Sequence, residues 1–296
     1  MTIRIPKNAK KVDIDYFKTR TLTQAIAELL NPTAPLPAPP VKEYDTTGAL
    51  TQPDTAILAG QTWINDVNND GTIQSKRRAS FKKWWMGVMI NQDRSVREKM
   101  NMFWHNHFAT ETADIGNGNF IYRHHSLFRN NALGNFKTLI RAITVDPSML
   151  IYLNGQLNTA TAPDENFSRE LLELFSCGKG PASLYTENDV KMAAKVLTGW
   201  RNNGTTFSSY FTASRHDSTN KQFSSFYNNT IITGRNTATA GDVELDNVKA
   251  LCEKWFIEHD FCYTRSGKIY MQKALQMVCI LRNRCNNRGQ HYYAIG

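Results

Sequence analysis

From residue 76 to about residue 200, apolar side chains recur three and four positions apart almost without a break. A chain with that period can bury those side chains only by packing helices together. One helix is expected over 76–91, carrying Trp84, Trp85, Met86 and Met89, and a second over about 95–108. Others follow near 120–131 and over 134–144, the latter with Phe136, Leu139, Ile140 and Ile143 at core spacing. Asp146-Pro147 is an N-cap with proline at the first helical position, opening a short helix to about Leu153. Thr186-x-x-Asp189 reads as a capping box before Val190, Ala193, Ala194, Leu197 and Trp200.

The flanks are different. Residues 13–30 read as a helix with Phe17, Leu22, Ile26, Leu29 and Leu30 apolar, after which Pro32, Pro35, Pro37, Pro39 and Pro40 impose an extended arm. Residues 41–75 are polar and turn-rich. Asp66 to Ile73 resembles the first half of a calcium loop, but Arg77 stands at the twelfth position where a bidentate carboxylate is needed, so an Asn-Asp-Gly turn is expected. Residues 202–241, rich in Asn, Thr, Ser and aromatics, read as long loops with short strands. No internal repeat is visible. The expectation is a mainly α, multi-helix, bundle-like single domain over 1–248. It divides into an arm and loops (31–75), a helical core (76–200) and a long loop-rich C-terminal part (201–248).

The chain has 296 residues, 41% apolar and 11% aromatic, enough for a real core. No run of about 18 apolar residues is present, so no membrane span is expected. No apolar signal segment follows Met1, so the chain as written reads as cytoplasmic. The net charge of +9 suggests nucleic acid, but its distribution argues against it. Residues 261–296 hold no Asp or Glu and six basic residues, which supply six of the nine charges. In the body, the Lys76-Arg77-Arg78…Lys82-Lys83 cluster is accounted for as a solvated helix face. Four of the five cysteines (Cys252, Cys262, Cys279, Cys285) also lie near the end, at spacings that match no zinc or disulfide framework. The segment 249–296 therefore reads as an anomalous basic tail, frame-shifted or otherwise non-native.

Three polar constellations could carry chemistry. The first is Phe103-Trp104-His105-Asn106-His107-Phe108. At about 100° per residue, His107 falls in the middle of the apolar face with Val96, Met100 and Phe103, and His105 about 200° away. The two imidazoles can share a metal ion only if the helix ends near residue 106. His107 is either a core histidine bonded to a carbonyl or carboxylate, or a ligand or base. The second is the helix Pro163–Phe175, with Glu165, Asn166, Arg169, Glu170 and Glu173 on one face and Phe167, Leu171, Leu172, Leu174 and Phe175 on the other. That face is either solvated, with Glu165–Arg169–Glu173 pairs, or looks into a cleft where carboxylates bind a hard metal or act as acid and base beside Arg169. The third is His216-Asp217 with Lys221, either a surface dipeptide or a ligand pair. His124-His125 point about 100° apart, so at most one is expected to face a site. No nucleophile elbow, phosphate loop or dinucleotide fingerprint occurs.

Read in order, several motifs resemble a known family. They are Glu98-Lys99-Met100-x-x-Phe103-Trp104-His105-Asn106-His107-Phe108, Ala132-Leu133-Gly134-Asn135-Phe136, Asp146-Pro147-x-Met149-Leu150 and Glu165-Asn166-x-x-Arg169-Glu170-Leu171-x-Glu173-Leu174-Phe175. Tyr185-Thr186-Glu187-x-Asp189-Val190, Leu197-Thr198-Gly199-Trp200 and His216-Asp217 complete the set. It resembles the bacterial domain of unknown function 1800 (DUF1800) over roughly residues 12–248. The proline-rich arm, Gly60-Gln61-Thr62-Trp63 and Trp84-Trp85 are similar to the Bacteroidetes version. The resemblance implies an exported protein of a family without an established activity. Measured against that pattern, both ends of this chain read as truncated or aberrant.

The family's motifs coincide with the three polar groups, which implies a shared site built from His107, Glu170, Glu173 and His216. Two readings are open. In one, the chain is a metal-assisted or acid/base hydrolase-like protein. His107, Glu170, Glu173 and Arg169 are catalytic, His105, His107, Glu173 and His216 are candidate ligands for a divalent metal, and Asn106, Glu165, Asn166 and Asp217 stand around them. In the other, it is a non-catalytic surface or assembly protein meeting a cell-surface partner, and these side chains form a polar network that fixes helix register.

Overall fold

Caps and prolines decide where the first helices stop. The stretch expected as one helix over 13–30 forms two, α1 (Lys11–Lys18) and α2 (Leu22–Leu30). The break is Thr21: its hydroxyl accepts from the Gln24 amide while the Gln24 side chain accepts from the Thr21 amide, a reciprocal pair that starts a helix. The computed structural model describes residues 11–45, 54–177 and 183–247. The segment 249–296 and its four cysteines lie outside the described residues, as does the stretch before Lys11.

The proline arm lies along α3 (Gly71–Ile90) and the start of α4 (Arg97–His107). An extended proline segment has no hydrogen bonds of its own, so its carbonyls take donors from the helices. Trp84 Nε1 donates to the Ala38 carbonyl at 2.8 Å, and the Arg97 guanidinium donates to those of Ala34 (2.8 Å) and Pro35 (3.1 Å). The Ser80 hydroxyl donates to the Val41 carbonyl at 3.2 Å. Asp70 caps α3 by accepting from the Thr72 and Ile73 amides, as an Asn-Asp-Gly turn before a helix requires.

After α4 come α5 (Thr112–Ile115), α6 (Gly118–Asn130), α7 (Phe136–Thr144) and α8 (Pro147–Tyr152). Next are α9 (Glu165–Glu170), which runs on as a π turn over Leu171–Ser176, and α10 (Glu187–Val196). Asn117, Asn135, Asp146, Asp164 and Thr186 each cap the helix that comes next. These caps place the starts of α6 and α7 two residues from where periodicity alone puts them. Beyond α10, β1 (Trp200–Asn203) pairs antiparallel with β2 (Ser208–Phe211), and β3 (Lys221–Gln222) with β4 (Ile231–Ile232). Residues 240–247 are helical. Gly199, between α10 and β1, has φ +91°, and a Cβ there would stand 2.9 Å from the Thr212 carbonyl oxygen, so no other residue fits. The class is mainly α. No helix among the described residues is long and apolar enough to cross a membrane.

The larger apolar cluster gathers Trp104 and Phe108 with Phe128, Phe136, Leu139, Ile143, Met149, Phe167, Phe175 and Val190. A second, around Trp63, Phe81, Ile115, Phe120, Ile121 and Phe207, seats the 54–66 segment on α3 and α6. Each such side chain contributes roughly 1.5–3 kcal/mol relative to exposure.

The basic cluster on α3 corrects the sequence reading. Lys82 and Lys83 are exposed as a solvated face requires, but Arg77 is fully buried. Its guanidinium donates from Nε to Asp54 Oδ2 (3.0 Å), from Nη2 to Asp54 Oδ1 (3.1 Å) and to the Asp66 carboxylate, and from Nη1 to the Asp66 carbonyl (2.9 Å). Lys76 pairs with Asp45 and Lys83 with Glu43, so acids of this chain meet part of the cluster.

Candidate functional site

Helix α4 places its two histidines as the helical period dictates, on different sides. His107 lies on the side facing α7 and the π turn, its ring parallel to Phe103 and edge-on to Phe108, with Phe136 and Phe175 beside it. Its Nε2 is 3.1 Å from the Phe175 carbonyl oxygen. The helix of Phe175 ends at Ser176, so this carbonyl has no amide of its own helix to accept from. A carbonyl only accepts, so Nε2 carries the proton. Asn106, between the two histidines, is exposed.

His105 packs elsewhere, under a cover that the helical wheel cannot show. Its ring is 4.5 Å, centroid to centroid, from His125 of α6 and stands edge-on to Trp85 of α3 at 5.3 Å. His125 in turn lies 4.2 Å from Trp85 and 4.7 Å from Phe81. His124 points off the same helix to Asp146, Nδ1 to Oδ2 at 2.8 Å, where that carboxylate also caps α8 through the Met149 amide. Both members of the His124-His125 pair are therefore buried, because α6 is covered by α3 and α4 on one side and α8 on the other. Burial, with a smaller push from His124, lowers His105 to about 4, and burial lowers His125 well below the usual imidazole range.

On α9, Asp164 caps the helix and Glu165 pairs with Arg169 at 3.2 Å, as the i, i+4 spacing predicts. Arg169 also reaches across to Glu187 at the head of α10, with bonds of 2.9 and 2.6 Å. That pairing holds Arg169 charged and lowers Glu187 below the usual carboxylate range. The exposed Asn166 donates to the Leu153 carbonyl at 3.3 Å, and Glu170 is half-buried. Glu173 sits in the π turn, half-buried. Burial raises the Tyr185 hydroxyl, and the charges of Glu173 and Cys177 add to the shift. The π turn itself, with the Cys177 amide on the Leu172 carbonyl and the Ser176 hydroxyl on that of Leu171, inserts one residue per turn and rotates the residues after it off the expected wheel.

His216 and Asp217 form a third assembly. His216 Nδ1 is 2.9 Å from the Thr198 carbonyl oxygen, and Nε2 is 3.3 Å from Glu244 Oε1. The Asp217 amide donates to the Thr198 hydroxyl at 2.8 Å, while its carboxylate takes the Thr219 amide and faces Lys195 at 3.5 Å. Burial raises Asp217, but bonds from Thr219 and the charges of Lys195 and Lys221 outweigh it and hold the group ionised. Lys221 and Glu244, both fully buried, close the assembly at 2.6 Å.

The candidate residues thus fall into local sets. His107 meets the π turn that carries Glu173, Arg169 meets Glu165 and Glu187, and His216 meets Thr198 and Glu244. Among the described residues, no three His, Cys, Asp or Glu side chains gather as a group that could hold a metal ion. Asp54, Arg77, Glu98, Arg129, Lys221 and Glu244 carry no local signal that marks them as buried partners, because each pair is distant in sequence. A cleft of 740 Å³ lies elsewhere, between the proline arm and α3–α4, walled by Pro35, Pro37, Trp84, Val88 and Arg97 with Glu98 at its edge. None of the candidate residues lines it.

A family model described as protein of unknown function (DUF1800) matches residues 4–251. No curated protein and no solved structure matches the chain.

Proposed function

The chain belongs to the DUF1800 family, and from the way its motif side chains are engaged we propose a non-catalytic role, as an exported surface or assembly protein that meets a partner at the cell surface. In this reading residues 1–248 form one bundle-like domain whose loop-rich C-terminal part is tied to the helical core. The polar side chains of its motifs act as bolts between elements. The observation that carries it is the contact of His107 Nε2 with the Phe175 carbonyl at 3.1 Å, which uses the most reactive atom of the Phe103–Phe108 stretch to close a helix end. Arg169 is engaged by the carboxylates of Glu165 and Glu187, and His216 by the Thr198 carbonyl.

One observation favours the hydrolase-like reading instead. The π turn at Leu171–Ser176 follows the half-buried Glu170 and carries Glu173, and such turns are frequent at functional sites. There Glu170 and Glu173 would serve as acid and base, Arg169 as a charge clamp, and His107 or His105 as a base or a ligand to a divalent metal.

Substitution at His107 separates the two. If its role is structural, His107→Phe lowers unfolding free energy by about 1–3 kcal/mol, the penalty for an orphaned buried acceptor, and His107→Gln, which keeps a donor, loses less. Chain purified without chelator that carries stoichiometric metal, released by His107→Gln at unchanged stability, would sink the structural reading.

A further inference from the structure

No side chain from Lys11 to Pro39 is buried, and neither apolar cluster draws a residue from that stretch. Among the described residues the first buried ones are Pro40 and Lys42, and there the Lys42 amide donates to the Gln61 carbonyl at 2.8 Å while Val41 bridges to Thr62. From Ala34 to Ala38 the arm is held to α3 and α4 by its carbonyls, which take the Trp84 indole and the two ends of the Arg97 guanidinium. The 740 Å³ cleft lies here, with Pro35, Pro37 and Pro39 on one wall and Trp84, Gly87 and Val88 on the other. We propose that this face of α3 and α4 is a recognition groove for an extended proline-rich segment of a partner protein, and that the arm is a built-in competitor which the partner displaces. The proposal rests on the reading of the chain as a surface or assembly protein and names the chemistry of its partner.

The seated arm shows what the groove selects. Pro32-Thr33-Ala34-Pro35 and Pro37-Ala38-Pro39-Pro40 each repeat proline at the three-residue turn of a polyproline II helix, which makes no hydrogen bonds of its own and leaves its carbonyls free to accept. An indole N–H and a guanidinium fork beside an aromatic wall read such carbonyls whatever the side chains, which is how aromatic-lined grooves take proline segments. The ligand is already extended, so little freedom is lost on docking. A second copy's arm is the poorer occupant, because it repeats contacts that the tethered arm already makes and costs translational freedom as well. A partner gains where the arm is thin. Ala34 and Ala38 line the cleft with single methyl groups, and larger apolar side chains at those two positions would take up its volume. Displacing the arm opens no core, since none of its side chains before Pro40 is buried.

The test is a titration of the full chain into a fluorescein-labelled peptide with the sequence of residues 31–41, read by anisotropy. Pro35→Gly with Pro37→Gly in the chain, neither position being buried, removes the pre-extension of the arm and should tighten peptide binding about tenfold. In that background Trp84→Phe keeps an aromatic wall, removes the donor and should weaken binding about three- to tenfold. The loosened background is needed because a groove substitution in the parent chain weakens arm and peptide together. A peptide with Ala34→Leu and Ala38→Leu should bind more tightly than the arm's own sequence. Absent binding, unchanged or weaker binding in the glycine variant, indifference to Trp84→Phe, or a preference for the arm's own sequence would each overturn the proposal. So would a dimer of the chain, seen by light scattering, that the peptide dissolves, since the groove would then serve a second copy. None of these readouts involves His107, so failure of the groove shows in the peptide and failure of the non-catalytic reading shows in metal released by His107→Gln.

Discussion

Arg77→Met should lower the unfolding free energy by about 3–5 kcal/mol, the range for removing one partner of a buried ion pair. The substitution keeps the stem that packs in the core and removes only the fork. Asp54, 1% exposed, then retains the Tyr44 hydroxyl at 2.8 Å but no cation on its carboxylate, because Lys42 is spent on the carbonyls of Asp54 and Ile57. Asp66 loses its partner in the same step. The consequence is not confined to the pair. Residues 54–66 are anchored to α3 through this guanidinium and through Trp63, whose indole donates to Ser80. Arg77→Met should therefore expose the Asp54–Asp66 segment to proteolysis before the helical core opens. Arg77→Lys restores charge without the fork and should fall between. Urea unfolding is the measurement, and a loss below about 1 kcal/mol, the size of a surface pair, would show that the segment is held by apolar packing alone.

What the sequence discloses about this chain, and what it hides, divides along one physical line. Local rules read well. The 3.6-residue period locates α3, α4, α6, α7, α9 and α10 but not the one-turn α5, and the cap chemistry at Asp146-Pro147 and Thr186-x-x-Asp189 is present as bonds to the Met149 and Asp189 amides. The wheel puts His105 and His107 on different sides of α4, where they are. Long-range pairing does not read at all. Arg77 sits in a basic run that looks solvated, and the acids that bury it lie 11 and 23 residues earlier, in a polar stretch without period. Glu98 and Arg129 are 31 residues apart, and His216 meets Glu244 across 28. His124 and His125 diverge as adjacent helix residues must, yet both are buried, because helix packing rather than phase decides how many sides of α6 are covered. The π turn leaves no mark in the period, since one extra residue per turn shifts a wheel only after the fact.

The buried pair of Lys221 with that same Glu244 makes the second large effect. Lys221→Met should also lower stability by about 3–5 kcal/mol, because it strands Glu244 in a site with no exposure. Glu244 would keep the Arg235 amide at 3.0 Å and the contact with His216, neither of which replaces an ammonium at 2.6 Å. Removing the stranded charge should undo much of the damage. In Lys221→Met with Glu244→Gln, the amide oxygen can still accept from Arg235, and more than half of the single-variant loss should return, a coupling readable as a double-mutant cycle. Additive losses would mean that Lys221 acts through its stem and its bond to the Asp217 carbonyl, not through Glu244. The cycle also bears on His216, whose ring is gripped between Thr198 and Glu244. A strong coupling would show that Glu244, which His216 also meets, belongs to an ion pair tying β3 to the helix at 240–247.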